Sequence, residues 1–171
     1  MLNPEHFRRL VIVPALAPFP ERMRTEAAVN LLLGTALVES QLTWLRQGME
    51  TASDGRGVAL GLYQIEPRTH HDCWRNYIMA QRDIWKALGN AQSDDALIYD
   101  LVYATRIARI IYWRDDMPLP QADDVEGLAR MWKHVYNTST GAGSPDAFIL
   151  RYLHAISLDK RLEALRPLIT G

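Results

Sequence analysis

The stretch from Ala27 to Val38 constrains this chain more than any other, because it is apolar almost throughout and runs directly into the charged residue Glu39. Ala28, Leu31, Leu32, Thr35 and Val38 recur at helical spacing, and Leu33 and Leu37 make the opposite side apolar as well. A helix that is apolar on every side has no solvent face, so it must run through the middle of a core. Thr25 suits an N-cap and Glu26 suits a first turn, where the helix dipole favours negative charge, so the helix is expected from about Thr25 to about Ser40. Its last turn would then carry the Glu39 carboxyl to the edge of the core. Burial disfavours a carboxylate, and a helix C-terminus presents partial negative charge. Both effects raise the pKa of Glu39 towards the range where a carboxyl serves as a general acid near neutral pH. On position alone, the alternative is a helix-end glutamate that reaches water.

A chain of 171 residues, 48% of them hydrophobic, can bury one sizeable core, so a single domain over 1–171 is expected. The formal net charge of -1 leaves no global field to hold a polyanion, which argues against nucleic acid as partner. Cys73 is the one cysteine, so no internal disulfide can form and a disulfide-stapled scaffold is excluded. Arg8 and Arg9 precede an apolar run from Leu10 to Pro20 that imitates a secretory signal. Prolines at 14, 18 and 20 interrupt it, so residues 1–24 read as folded sequence, extended or briefly helical, packed on the domain. No stretch has the length of a bilayer-spanning helix, and no membrane insertion is expected. The expected site of synthesis is the cytoplasm, without a signal peptide.

The pattern breaks up from Gln41 to Ala59, where Gly48, Ser53-Asp54-Gly55 and Gly57 mark a long surface loop of the kind that is often functional. Leu60 to Ile65 reads as a short buried segment or strand stopped by Pro67, after which Thr69 and Asp72 would open a helix from His70 to about Ala80. Ser93 can cap one helix whose stripe, Leu97, Leu101, Ala104, Ala108 and Ile111, ends near Trp113. After a turn at Met117 to Pro120, Asp123 and Glu126 would cap a helix reaching about Tyr136, with Leu128, Met131, Trp132 and Val135 on its inner face. Beyond a loop at Ser139 to Gly143, Ser144 and Pro145 open a last helix through Phe148, Tyr152, Leu153 and Ile156. The expected class is mainly α with little or no β.

Four short motifs occur in order: Ala36-Leu37-Val38-Glu39-Ser40, Gly61-Leu62-Tyr63-Gln64-Ile65 with Pro67, the helix Ala104 to Trp113, and Tyr136-Asn137. Together they resemble the Glu-Ser, Gly-Leu-Met-Gln, Ala-Arg-Tyr and Ala-Tyr-Asn series of soluble lytic transglycosylases and goose-type lysozymes, over about Leu31 to Tyr152. The wider sequence is similar to small bacteriophage members of that group. The resemblance implies a lysozyme-like helical fold and cleavage of the bond between N-acetylmuramic acid and N-acetylglucosamine in peptidoglycan. Glu39 would be the sole catalytic acid/base, and Tyr136 would hydrogen-bond its carboxyl. Gly61, Leu62, Tyr63 and Gln64 would form the substrate-binding motif, with Tyr63 and Gln64 lining sugar subsites, while Ser40 and Asn137 would support the cleft. No carboxylate nucleophile is implied, because the substrate's acetamido oxygen or its 6-hydroxyl can meet the developing positive charge. Glycan strands, and for a phage particle other virion proteins, are the implied partners, and no cofactor is implied. Three departures stand out: a long Glu39 to Gly61 interval, Tyr63 in place of Met, and Thr138-Ser139-Thr140-Gly141 after Asn137.

Other residues invite weaker readings. Glu66 or Asp54 could supply a second carboxylate, although a solvent-facing role suits each better. His70, His71 and Cys73 do not make a metal site, since neighbours on one helix diverge and no second ligand pair is spaced for one. Trp113 and Trp132 lie beside core stripes and read as structural, while Trp44 follows Glu39 closely enough to be near a cleft. Arg106, Arg109 and Arg114 read as a solvated helix edge.

Overall fold

The computed structural model describes residues 1–46, 58–137 and 143–169. Most of the expected loop from Gln41 to Ala59, Asp54 included, and Thr138 to Gly141 lie outside them. The elements are α1 (Pro4–Phe7), a π-helical turn (Arg8–Ile12), α2 (Val13–Leu16), a 3-10 turn (Glu21–Met23), α3 (Glu26–Ser40), α4 (Pro67–Asn76), a second 3-10 turn (Ile78–Ala80), α5 (Arg82–Leu88), α6 (Ala96–Tyr99), α7 (Leu101–Trp113), α8 (Val125–Val135) and α9 (Pro145–Ile169). The protein is mainly helical, with no strand among the described residues. None of the helices among the described residues is long and apolar enough to cross a membrane.

The central helix is α3. Thr25 caps it, its hydroxyl accepting from the Ala28 amide, and every residue from Ala27 to Leu37 is buried. The helices α7, α8 and α9 and the N-terminal π-turn pack around it. Gly34 permits a close approach, since a Cβ there would lie 2.1 Å from the Phe148 ring of α9. At the far end Gln41 closes the helix in the left-handed region, with φ of 53°.

The N-terminal segment is helical rather than extended. Asn3 caps α1, Pro4 takes a first-turn position, and the chain widens to π geometry over Arg8–Ile12, where the Val13 amide bonds the Arg8 carbonyl. That wider turn sits just before Pro14, whose ring would collide with the carbonyl four residues back in a regular helix. Phe7, Ile12, Leu16 and Phe19 enter the common core. Arginines expected to face solvent fix this segment instead. Arg106 Nε donates to the Ala15 carbonyl (2.9 Å) and Arg109 Nε to the Met23 carbonyl (2.7 Å). Arg109 is only 2% exposed, and burial lowers its pKa to about 10. Arg114 binds Asp72 at 2.6 Å.

Several expected boundaries shift: α4 ends at Asn76 rather than near Ala80, and Asp124 rather than Asp123 caps α8 by accepting from the Gly127 amide. Leu60 to Ile65 is a tight turn closed by reciprocal backbone bonds between Leu60 and Ile65, not a strand. Pro67 starts α4 rather than preceding a gap, because a first-turn residue needs no amide hydrogen. The single helix expected from Ser93 to Trp113 is two, broken at Asp100, whose carboxylate caps α7 by accepting from the Tyr103 amide (2.9 Å). The short helix α5 has no counterpart among the expected elements.

Candidate active site

Glu39 emerges where the sequence placed it, on the last turn of α3 and half-buried. Trp132 on α8, 1% exposed, donates its indole Nε1–H to Glu39 Oε1 at 2.9 Å. Arg151 on α9 donates to the Val38 carbonyl (2.5 Å) and the Leu37 carbonyl (3.4 Å), countering the negative end of α3. Burial pushes the Glu39 pKa from 4.5 up to about 7, against the smaller lowering effects of the Trp132 hydrogen bond and the Arg151 charge. An indole nitrogen only donates. Oε1 therefore acts as acceptor in both protonation states, and the titrating proton belongs on Oε2.

Tyr136 does not hydrogen-bond Glu39. Its ring stacks on Tyr112 at 5.3 Å, and its hydroxyl is buried with no hydrogen-bond partner among the described residues. Tyr112 in turn donates to Thr35 Oγ1 (2.7 Å), because the Thr35 proton is committed to the Leu31 carbonyl (2.7 Å). Trp132 thus makes the hydrogen bond to Glu39 that was expected of Tyr136. Burial and the neighbouring Tyr112 and Glu39 drive the Tyr136 pKa well above the ordinary phenol value.

Most of the expected substrate residues turn inward. Tyr63 is 1% exposed, and its hydroxyl lies 3.2 Å from Thr105 Oγ1, so its ring belongs to the core and cannot grip a sugar. Leu62 is equally buried. Gly61 adopts φ of +71°, and a Cβ on it would stand 1.8 Å from the Leu97 carbonyl oxygen, so it shapes the turn rather than a subsite. Ser40, fully buried, donates to the Ala36 carbonyl at 3.0 Å. Gln64 remains half-exposed, holding the Gly61 carbonyl through Nε2 at 2.7 Å. Asn137 Oδ1 accepts from Lys133 Nζ (2.8 Å) and the Gly143 amide (3.1 Å), bracing the end of α8 against the start of α9. Trp44 is 63% exposed. Glu66 stands at the N-cap of α4 in an ion pair with Arg68, which ill suits a free base.

His70 and His71 do converge, contrary to the expectation that they diverge: His70 Nδ1 lies 2.7 Å and His71 Nε2 3.0 Å from the same Asp94 oxygen. Tyr103 explains the arrangement. Its hydroxyl accepts from Trp74 Nε1 (2.7 Å) and from the Gln92 amide (3.4 Å), so its own proton goes to His70 Nε2 (2.7 Å). His70 therefore carries its proton on Nδ1 and donates it to Asp94. A metal at Nδ1 would have to reverse that chain. Cys73 faces Arg114 instead, at 3.2 Å.

Sequence reasoning reads Trp132 as structural and passes over Arg151. The available signal for Trp132 is that a buried indole needs an acceptor, and Glu39 is the one buried carboxylate expected nearby. Arg151 carries no such signal. A depression of about 100 Å3 borders the α3 C-terminus, lined in part by Leu37, Gln41, Arg151 and His154. A larger one of about 570 Å3 lies over α5, and neither has Glu39 in its wall. No family model matches the chain, and comparison with curated proteins and with solved structures returns no match.

Proposed function

We propose that this protein is a lysozyme-like enzyme that cleaves the β-1,4 bond between N-acetylmuramic acid and N-acetylglucosamine in peptidoglycan, with Glu39 as its single acid/base. The observation that carries the reading is a carboxyl held at the end of a core helix by one indole donor, with a pKa of about 7. A carboxyl raised that far exchanges its proton close to neutral pH, which suits both halves of a general acid/base cycle. Protonated Oε2 gives its proton to the glycosidic oxygen as the bond to the muramyl C1 breaks. The substrate's acetamido oxygen meets the positive charge at C1, so no second carboxylate is required. The Oε2 carboxylate then takes a proton from the sugar's 6-hydroxyl, giving an anhydro product, or from water, giving a reducing end. The motif order from Glu39 to Asn137 supports the lytic transglycosylase form, in a bacteriophage protein that meets the wall from a particle or at lysis.

A second reading has its own support. Ser40, Gly61, Leu62 and Tyr63 serve the core rather than an open cleft, as they would in a virion structural protein that retains the fold and binds glycan or a neighbouring subunit without cleaving. Mass spectrometry of fragments released from purified peptidoglycan separates the two. Anhydro-muropeptides from the wild-type chain and none from Glu39→Gln are expected; release by the mutant would remove Glu39 from the mechanism, and no release by either chain would favour the structural role.

A further inference from the structure

The helix α5 and the turn after it form a feature that the chemistry around Glu39 does not use. Arg82, Trp85, Lys86 and Gly89 follow one another at helical spacing and are all exposed, while Ile84 and Leu88 point into the core. Together with Asp83 and Asn90 they line the open depression of about 570 Å3. Trp85 is 47% exposed, an unusual position for the largest apolar side chain. The side chains of Arg82, Asp83, Lys86 and Asn90 make no hydrogen bond or ion pair with other described residues. Gly89, with φ of +80°, has nothing within 4 Å of where a Cβ would stand, which keeps that end of the depression open.

We propose that this face of α5 is a glycan-contact platform on which the Trp85 indole stacks against the apolar face of a pyranose ring while Arg82, Asp83, Lys86 and Asn90 bond its hydroxyl and acetamido groups. A pyranose presents a patch of C–H bonds ringed by hydroxyls, and one flat aromatic ringed by donors and acceptors is its complement. A protein partner would call for a cluster of apolar anchors, whereas Trp85 is the one large apolar side chain among the residues that line this depression. The choice of an N-acetylated glycan rests on the proposed peptidoglycan substrate. A strand held here as well as at Glu39 would be engaged at two points, raising residence on the wall through effective concentration rather than through new chemistry.

The test is a titration of the Glu39→Gln chain with tetra-N-acetylchitotetraose, followed by the indole N–H resonances, that of Trp85 being identified by its absence in Trp85→Phe. A saturable shift of the Trp85 signal is expected. In parallel, the Glu39→Gln/Trp85→Ala chain should sediment with purified peptidoglycan several-fold more weakly than Glu39→Gln alone, at an unchanged thermal midpoint. A Trp85 signal that stays still while sugar is added overturns the platform, as does one that moves with protein concentration alone, which would mark a contact between copies of the chain. The two proposals fail separately: wall fragments from wild type with an unmoved Trp85 signal remove only the platform, and a shifted signal without fragments removes only the enzyme.

Discussion

Among the buried aromatic residues near Glu39, Trp132 bonds its carboxyl and Tyr136 does not. Trp132→Phe removes the one hydrogen bond that Glu39 Oε1 accepts among the described residues, and a bond to a charged group contributes about 1.5–3 kcal/mol, so peptidoglycan cleavage should fall about tenfold or more. The alkaline limb of its pH profile should also rise, because that bond holds the carboxyl pKa down. Tyr136→Phe removes a buried hydroxyl that has no partner among the described residues. Its thermal stability should stay level or rise by up to about 1 kcal/mol, and its rate should fall far less than that of Trp132→Phe. Rates across pH and melts on both variants decide the matter; the reverse ranking would return the orienting role to Tyr136. Glu39 itself has a signature in stability. Its pKa rises from 4.5 to about 7 on folding, so between those values the folded chain keeps a proton that the unfolded chain releases, and stability drops as pH climbs. Glu39→Gln escapes that loss. Denaturant titrations should find the mutant level with wild type near pH 4 and more stable near pH 8, by up to about 3 kcal/mol, since each tenfold change in proton affinity is worth about 1.4 kcal/mol. The position of Glu39 was legible because apolar periodicity places a helix end without help from the rest of the chain. Its partner was not, since which aromatic on α8 reaches it depends on how α8 lies against α3.

At the scale of elements, the sequence was most legible where one helix carries its own boundaries. Thr25 and Ser144 are caps followed by unbroken patterns, and both helices begin where those residues stand. The division between α6 and α7 was hidden because Leu97, Leu101, Ala104 and Ala108 keep helical spacing straight through it. Asp100 interrupts the helix by offering its carboxylate to the Tyr103 amide, a local competition that periodicity does not register. Asp100→Ala should therefore cost about 1 kcal/mol, the usual loss for a cap, read as a lower midpoint in urea with an unchanged slope. A larger cost would mean that Asp100 also holds Gln92, whose side-chain Nε2 lies 3.5 Å from its carboxylate. The turn at Gly61 escaped for a related reason: a short apolar run looks the same whether it pairs as a strand or folds back on itself.

Across the whole molecule, the N-terminal segment behaves as part of one core rather than as an appendage. Phe7, Ile12, Leu16 and Phe19 belong to the same buried cluster as Leu31, Ile107 and Phe148. Arg106 and Arg109 tie that segment's backbone to α7, and Arg8 bonds Asn30 at 2.6 Å and pairs with Glu26 on α3. These ties could not be read from the sequence, because an arginine on a helix edge looks solvated until a backbone carbonyl from a distant segment arrives beside it. Their consequence is cooperativity. Ile12 is fully buried, so Ile12→Ala should destabilise by about 2–5 kcal/mol, the range for truncating a buried aliphatic side chain. If the segment shares the core, that loss moves the entire transition: far-UV circular dichroism and the near-UV signal of the tryptophans shift together. Trp113 is the useful reporter, since Arg22 from the N-terminal region and Arg109 from α7 both stand 5.2 Å over its ring. An early change at the aromatic signal with the helical signal left in place would mean that residues 1–24 detach on their own. In that case α3 would keep its partners α7, α8 and α9, and the geometry at Glu39 would survive the loss of the segment.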